Sequence, residues 1–278
     1  MRILTIGDIH GREVWKNFIF GSHEKYEDWA IEAQGEYFRP WEEVLDLRVS
    51  DIDLIVFVGD YFDSFDINNV DMKRNAEQIF AFKRAYPDRV VLLWGNHDVS
   101  YYDRSQWCSG FRAEMFFDFN ELLNANRGRI QLAHQIGNVL WTHAGITKSY
   151  YENVCCEYAK RVRRGDEEMP LPEKSNLAEF LNEQFLHNWS GLFYVGRTRG
   201  GSDIFPGPLW ADRSDLMEDP LPEIFQFVGH TRVEQVHGTQ DEISGVCFLD
   251  CLGKRWGKVV IVEIQEGKYV NYEVLERE

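Results

Sequence analysis

The sequence predicts an α/β protein with two sheets, and three observations predict it. Its apolar runs are short, β-branched and nearly continuous, as in strands buried on both faces. Each of the first three runs ends in a polar turn containing glycine. Between the second and third runs the apolar residues change to helical spacing.

The elements follow in order. Residues 3–6, 54–58 and 90–94 read as the first three strands. Residues 69–86 carry Val70, Met72, Ala76, Ile79, Phe80, Ala81 and Phe82, the spacing of an amphipathic helix, and Pro87 closes it. A fourth strand is predicted at 139–142, fed by a strand near 130–133. Helices are predicted at 150–164 and 177–189. The later chain changes character: 225–228, 246–249, 259–264 and 269–274 read as strands joined by short turns. Gly267-Lys268 suits a hairpin between the last two. This part predicts a second, more antiparallel sheet packed on the first. Residues 20–40, 100–120 and 165–172 read as insertions. No linker divides the chain, so 1–278 is expected to form one domain.

The charge excludes one class of partner. Thirty Lys and Arg stand against 46 Asp and Glu, a net charge of −16. A chain this acidic repels a phosphate backbone unless its basic residues cluster, and they do not, so no nucleic-acid scaffold is expected. Cations could neutralise some of the carboxylates. The five cysteines include an adjacent pair and no CxxC, so neither a disulfide framework nor a zinc ribbon is expected. No stretch approaches the roughly 18 apolar residues of a membrane span. A soluble cytoplasmic protein without a membrane partner is the expectation; the oligomeric state is left open.

Metal-capable residues sit at the ends of successive strands. The turns are Gly7-Asp8-Ile9-His10-Gly11, Gly59-Asp60-Tyr61-Phe62-Asp63, Gly95-Asn96-His97-Asp98, His143-Ala144-Gly145 and Gly229-His230-Thr231. In open α/β sheets, ligands bind outside the carboxyl ends of the strands. Each turn alone has an ordinary explanation: Asp8 could cap a helix, and His230 could be a structural hydrogen-bonder. Five such turns together are hard to ascribe to chance. Asp, His and an Asn carbonyl offer mixed oxygen and nitrogen ligation, which suits Mn, Fe or Zn. A carboxylate can bridge two cations about 3.5–4 Å apart, and such a pair clamps both oxygens of a phosphoryl displacement and acidifies a water between them to a hydroxide. Protonation of the leaving oxygen remains, a task for a His held by a carboxylate. His97 and Asp63 are the natural pair.

This ordered set resembles the calcineurin-like metallophosphoesterase superfamily. The resemblance covers about four fifths of the chain and implies a four-layer α/β/β/α sandwich of two packed mixed sheets around a centre of two divalent or trivalent ions. By motif, it implies that Asp8 and His10 bind the first metal, Asp60 bridges both, and Asn96, His143 and His230 bind the second. His97 would donate the proton and Asp63 would orient it. Many relatives end in Gly-His-x-His, whereas this chain runs Gly229-His230-Thr231-Arg232, similar to the phosphoprotein phosphatase and bis-nucleoside tetraphosphatase branch. Leu209-Trp210-Ala211-Asp212 is similar to a Leu-Trp-Ser-Asp stretch of the protein phosphatases.

The chain departs from that branch after Asp63. The branch carries Asp-Arg-Gly, whose Arg grips the substrate phosphate; here the run is Asp63-Ser64-Phe65. Arg197, Arg199 and Arg232 are the candidate replacements, because a guanidinium forks phosphate oxygens well. The aromatic segment 100–120 starts beside the Asn96-His97 turn and reads either as a wall for a flat substrate or as core packing. The expected activity is a metal-dependent phosphoesterase acting on a phosphorylated small molecule or phosphoprotein. The alternatives are a bis-nucleoside polyphosphate hydrolase, a Ser/Thr phosphoprotein phosphatase, and an inactive metal-binding module. A nuclease is disfavoured by the charge.

Overall fold

The computed structural model describes residues 1–34, 38–103, 107–164, 167–241, 243–253 and 255–277. Within them the strands are β1 (Arg2–Ile6), β2 (Leu54–Phe57), β3 (Val90–Leu93), β4 (Ile130–Gln131), β5 (Ala133–Ile136) and β6 (Val139–Thr142). There follow β7 (Arg163–Arg164), β8 (Glu167–Glu168), β9 (Phe225–Val228), β10 (His237–Gln240), β11 (Gly245–Phe248), β12 (Gly257–Gln265) and β13 (Lys268–Arg277). One sheet has the order β13-β12-β1-β2-β3-β4 and the other β10-β11-β9-β6-β5, while β7 and β8 form a ribbon of their own. Strands β1 to β4 are parallel, as are β6, β9 and β11.

Strand alternation explains why the apolar runs are nearly continuous. Successive side chains point to opposite faces, and both faces are covered. Ile3, Val56, Val91, Leu93, Val139, Trp141, Phe227, Val260 and Val262 form one cluster drawn from both sheets. The Trp141 Nε1–H donates to Thr5 Oγ1 at 2.9 Å, tying the sheets together. The alternate residues Leu4, Ile6, Ile55, Phe57 and Leu92 join Met72, Ala76, Ile79 and Phe80 of the helix Asn69–Ala85. Asn68 caps that helix by accepting from the Asp71 N–H at 2.9 Å. On the outer face of the second sheet, Val228, Val246 and Phe248 cluster with Leu216 of the helix Arg213–Glu218. The layers are therefore helix, sheet, sheet, helix.

The last hairpin does not belong to the second sheet, as the sequence predicts, but completes the first. β12 lies antiparallel to β1, with Ile3 opposite Val262, and β13 pairs outside it. β12 is buried on both faces, so it needs neighbours on both sides, and the free edge of β1 supplies one. The reverse turn is centred on Glu266 and Gly267 (φ 51° and 74°), with Lys268 already paired to Gln265. Two consecutive positive φ angles are what a two-residue hairpin of this twist requires.

The feeder strand divides at Leu132. Its first part, β4, ends one sheet and its second, β5, edges the other. The Leu132 and Ala133 N–H groups, lost to the ladder at the crossover, both donate to Asn182 Oδ1 at 2.7 and 3.0 Å. The helix predicted at 150–164 is a composite: Lys148–Tyr150 and Glu157–Arg161 are α-helical around a π-helical Tyr151–Cys156. The next helix ends early, at Leu186. Within 20–40, Phe20, Tyr26 and Trp29 are buried in the core. Parts of the three segments read as insertions, residues 35–37, 104–106 and 165–166, lie outside the described residues. Among the described residues, no helix is long and apolar enough to cross a membrane.

Candidate metal centre

Five turns meet at one end of the two sheets because each follows the carboxyl end of a parallel strand: β1, β2, β3, β6 or β9. Backbone bonds lock the turns together. The His10 N–H donates to Asp60 O at 2.6 Å and the Gly229 N–H to His143 O at 2.8 Å. Asp98 receives the N–H groups of Asp60, Tyr61 and Gly95 at 2.8, 2.8 and 2.9 Å. His10, Asp60, Asp63 and His230 all have positive φ, between 45° and 64°. Such strain costs about 1–3 kcal/mol per residue and persists where the surroundings over-determine it.

The glycines of these turns are needed for space. A Cβ on Gly95 would sit 2.1 Å from Asp60 Oδ1, and one on Gly229 would sit 1.8 Å from Asp8 Oδ1. The aspartates are pressed against bare backbone.

Asp60 lies at the centre. Its Oδ2 stands 3.3 Å from His143 Nε2, 3.7 Å from His10 Nε2 and 4.0 Å from His97 Nε2. In each imidazole the other nitrogen is already engaged: His143 Nδ1 with Val58 O at 2.9 Å, His10 Nδ1 with Phe62 O at 2.7 Å, His97 Nδ1 with Asp63 Oδ2 at 2.9 Å. These contacts fix the rings and aim three Nε2 atoms at one carboxylate, the usual outer support of metal-binding histidines. Asn96 Oδ1 stands 2.8 Å from His143 Nε2 and 3.0 Å from His230 Nδ1. Asp8 Oδ2 is 3.9 Å from His10 Nε2, and both Asp8 oxygens accept the His230 N–H at 3.1 and 2.9 Å.

These spacings suit shared cations. Two donors ~2.1 Å from one ion stand roughly 3.0–3.4 Å apart at right-angled to tetrahedral geometry. Asp60, Asn96, His143 and His230 offer four donor atoms with neighbouring separations near that range. Asp8, His10 and Asp60 form a looser set, with His10 Nε2 3.9 Å from Asp8 Oδ2 and 3.7 Å from Asp60 Oδ2. All are hard or borderline donors, and the carboxylates supply charge. Asp8, Asp60 and His143 are almost wholly buried, a costly place for charges without counter-ions.

Burial and neighbouring charge divide the titrating groups. Burial, then the charges of Asp250 and Asp60, raises the Asp8 carboxyl well above its ordinary range. Burial alone would raise Asp60 too, but His143, His97 and His10 outweigh it and hold it low. Burial lowers His10 and, with His143, lowers His230 strongly. Burial also opposes protonation of His97, but Asp60, Asp63 and Asp98 prevail and push it up to about 9.

The structure thus brings Asp8, His10, Asp60, Asp63, Asn96, His97, His143 and His230 into one cluster. It separates the three arginines. Arg199 lines a cavity of about 500 Å³ together with His10, Asp60, Asn96, His97 and His230. Asp212 holds its Nε at 2.9 Å and Thr231 Oγ1 accepts from Nη2 at 2.6 Å. Arg197 and Arg232 do not line that cavity; both are exposed, and Arg232 pairs with Asp250 at 3.3 Å.

The chain of 1–233 matches the family described as calcineurin-like phosphoesterase. The chain belongs to that family. The matched span contains all five turns, and the family is one of phosphoester hydrolases whose members imply bound metal ions. Among solved structures, the chain is similar to the cold-active protein-tyrosine phosphatase of a psychrophilic Shewanella species, at 16% identity and a TM-score of 0.50, covering 99% of this chain and 80% of that one. A second structure of a cold-active protein tyrosine phosphatase gives a TM-score of 0.51 at 16% identity, covering 99% and 78%. A metallophosphoesterase from Sphaerobacter thermophilus matches at 14% identity and a TM-score of 0.39, covering 100% and 90%. At this identity the likeness to the two tyrosine phosphatase structures concerns the fold alone. No curated protein matches the chain in sequence.

Several residues around the centre escape the sequence reading. Tyr101 donates its hydroxyl to Asp63. Cys108 Sγ accepts from Asn96 Nδ2 at 3.1 Å, which turns the amide oxygen toward the histidines. Asp250 is buried just beyond β11 and acts on Asp8 and His10 through its charge. Asp250 had a legible signal, an acidic residue at a strand end. Tyr101 and Cys108 had none.

Proposed function

We propose that this protein hydrolyses phosphate esters with two cations, one held by Asp8, His10 and Asp60 and the other by Asp60, Asn96, His143 and His230. Cations bound there would supply Lewis-acid charge and acidify water at neutral pH. His97 is the general acid. Its Nδ1 is engaged by Asp63 and its ring lines the cavity, so the proton destined for the leaving oxygen sits on Nε2. The surrounding carboxylates keep it there, and a protonated imidazole has no lone pair to spend on a metal. Asp63 fixes the ring, and Tyr101 fixes Asp63. Arg199, held by Asp212 and Thr231, is the phosphate ligand in place of the arginine missing after Asp63. Among the described residues its Nη1 has no partner, which leaves N–H groups for phosphate oxygens.

The observation that carries this reading is the convergence of three Nε2 atoms on a single oxygen of Asp60. An inactive descendant of the family has no need to keep every donor and the acid in place. The test is hydrolysis of 4-nitrophenyl phosphate. Chelated protein is expected to be inactive and to recover with Mn²⁺. A folded protein that turns over no ester with Mn²⁺, Fe²⁺ or Zn²⁺ would overturn the reading.

A further inference from the structure

We propose that the cavity takes a phosphate joined directly to a flat aromatic ring, and that Trp107 is the specificity-determining residue that seats the ring. This deepens the phosphoesterase reading and rests on it. Trp107 lines the same cavity as His10, Asp60, His97 and Arg199. It is 71% exposed, a large apolar surface at the mouth of a polar site. It is also well supported. Its indole stacks on Phe111, with centroids 5.1 Å apart and an interplanar angle of 30°. Phe111 stacks on Tyr101 at 4.6 Å and 21°, and the Tyr101 hydroxyl binds Asp63. The indole is the outer end of an aromatic column rooted at the carboxylate that orients His97.

The chain holds Trp107 next to a residue that touches a proposed metal ligand. Cys108 Sγ lies 3.1 Å from Asn96 Nδ2 on the cavity floor, and Trp107 is the adjacent residue, with its Cα ~3.8 Å along the chain. A ring bonded directly to a phosphate oxygen is the smallest substrate that sets a flat face against this wall, and a base carried beyond a ribose is the alternative the test separates. Gly200 and Gly201 line the cavity without a side chain to obstruct a ring.

The test uses non-hydrolysable probes on Mn²⁺-loaded protein by calorimetry. Phenylphosphonate is expected to bind roughly 3–10-fold tighter than methylphosphonate, the range of one offset-stacked pair. Trp107→Ala is expected to bring the two within about twofold, and Trp107→Phe to keep most of the preference. Equal affinities in the wild type, or an unchanged preference in Trp107→Ala, would overturn the proposal. A phosphonate analogue of adenosine 5′-monophosphate, with a methylene in place of the ester oxygen, binding tighter than phenylphosphonate, with the advantage lost in Trp107→Ala, would overturn it in favour of a nucleobase. Turnover by the same preparation separates the two readings. Hydrolysis of both 4-nitrophenyl phosphate and glycerol 2-phosphate, each unaffected by Trp107→Ala, sinks this inference alone. No hydrolysis of either sinks the phosphoesterase reading and this inference with it.

Discussion

Gly229→Ala tests how tightly the two sheets define the first cation set. The new Cβ would stand 1.8 Å from Asp8 Oδ1, whereas ordinary contact begins at 3.4 Å. The carboxylate must therefore retreat by about 1.6 Å, the difference of those two values. Asp8 is buried and held by the His230 N–H, so it has little room to turn. A displacement of about 1 Å in a catalytic constellation costs roughly 10²-fold in rate. Turnover of 4-nitrophenyl phosphate is expected to fall at least that far, and metal content after Mn²⁺ loading and desalting to fall from two ions per chain toward one. Gly128→Ala is the control: its Cβ would meet nothing within 4 Å, so both quantities should hold. If Gly229→Ala keeps two ions and turnover within threefold of the wild type, the close packing of Asp8 against the last turn does not position a cation.

His97→Asn should leave metal content intact and cut turnover by roughly 10²–10⁴-fold, the range for loss of a general acid; loss of an ion instead would make His97 a ligand, measured by metal analysis on the same sample. His134 provides a pH prediction away from the centre. Burial, then the charge of Lys83, lowers it to about 4, and among the described residues its buried Nε2 has no hydrogen-bond partner. The fold thus favours the neutral ring: its contribution is whole above about pH 6.5, where the unfolded ring is also neutral, and declines as pH falls toward 4. The loss amounts to at most about 3 kcal/mol. Urea unfolding at pH 7.5 and 4.5 should show a smaller decline in His134→Phe than in the wild type, and equal declines would contradict this.

The centre was more legible in the sequence than the sheets that carry it. Asp8, His10, Asp60, Asn96, His97, His143 and His230 lie next to strand ends, and a parallel strand delivers whatever follows it to the same rim. That rule is local and needs no knowledge of strand order. Strand order itself depends on long-range pairing. Nothing in the run 259–264 tells which free edge it will meet, so its return to β1 was invisible. The split at Leu132 was hidden for a related reason, since the backbone groups it strands are satisfied by Asn182, fifty residues later. The arginines show the limit at the site. Arg197 and Arg199 share a Gly-rich loop, and the contacts of Arg199 with Asp212 and Thr231 distinguish the one that lines the cavity. Asp212 belongs to the run Leu209-Trp210-Ala211-Asp212, whose role in holding an arginine was not apparent from its composition.

The central claim is that one carboxylate, Asp60, is shared by two cations. Anomalous diffraction from crystals grown with Mn²⁺ measures this directly. The expected map shows two peaks flanking the Asp60 carboxylate, one beside Asp8 and His10 and the other beside Asn96, His143 and His230. A single peak remote from Asp60, or none in a protein loaded to saturation, would contradict the account.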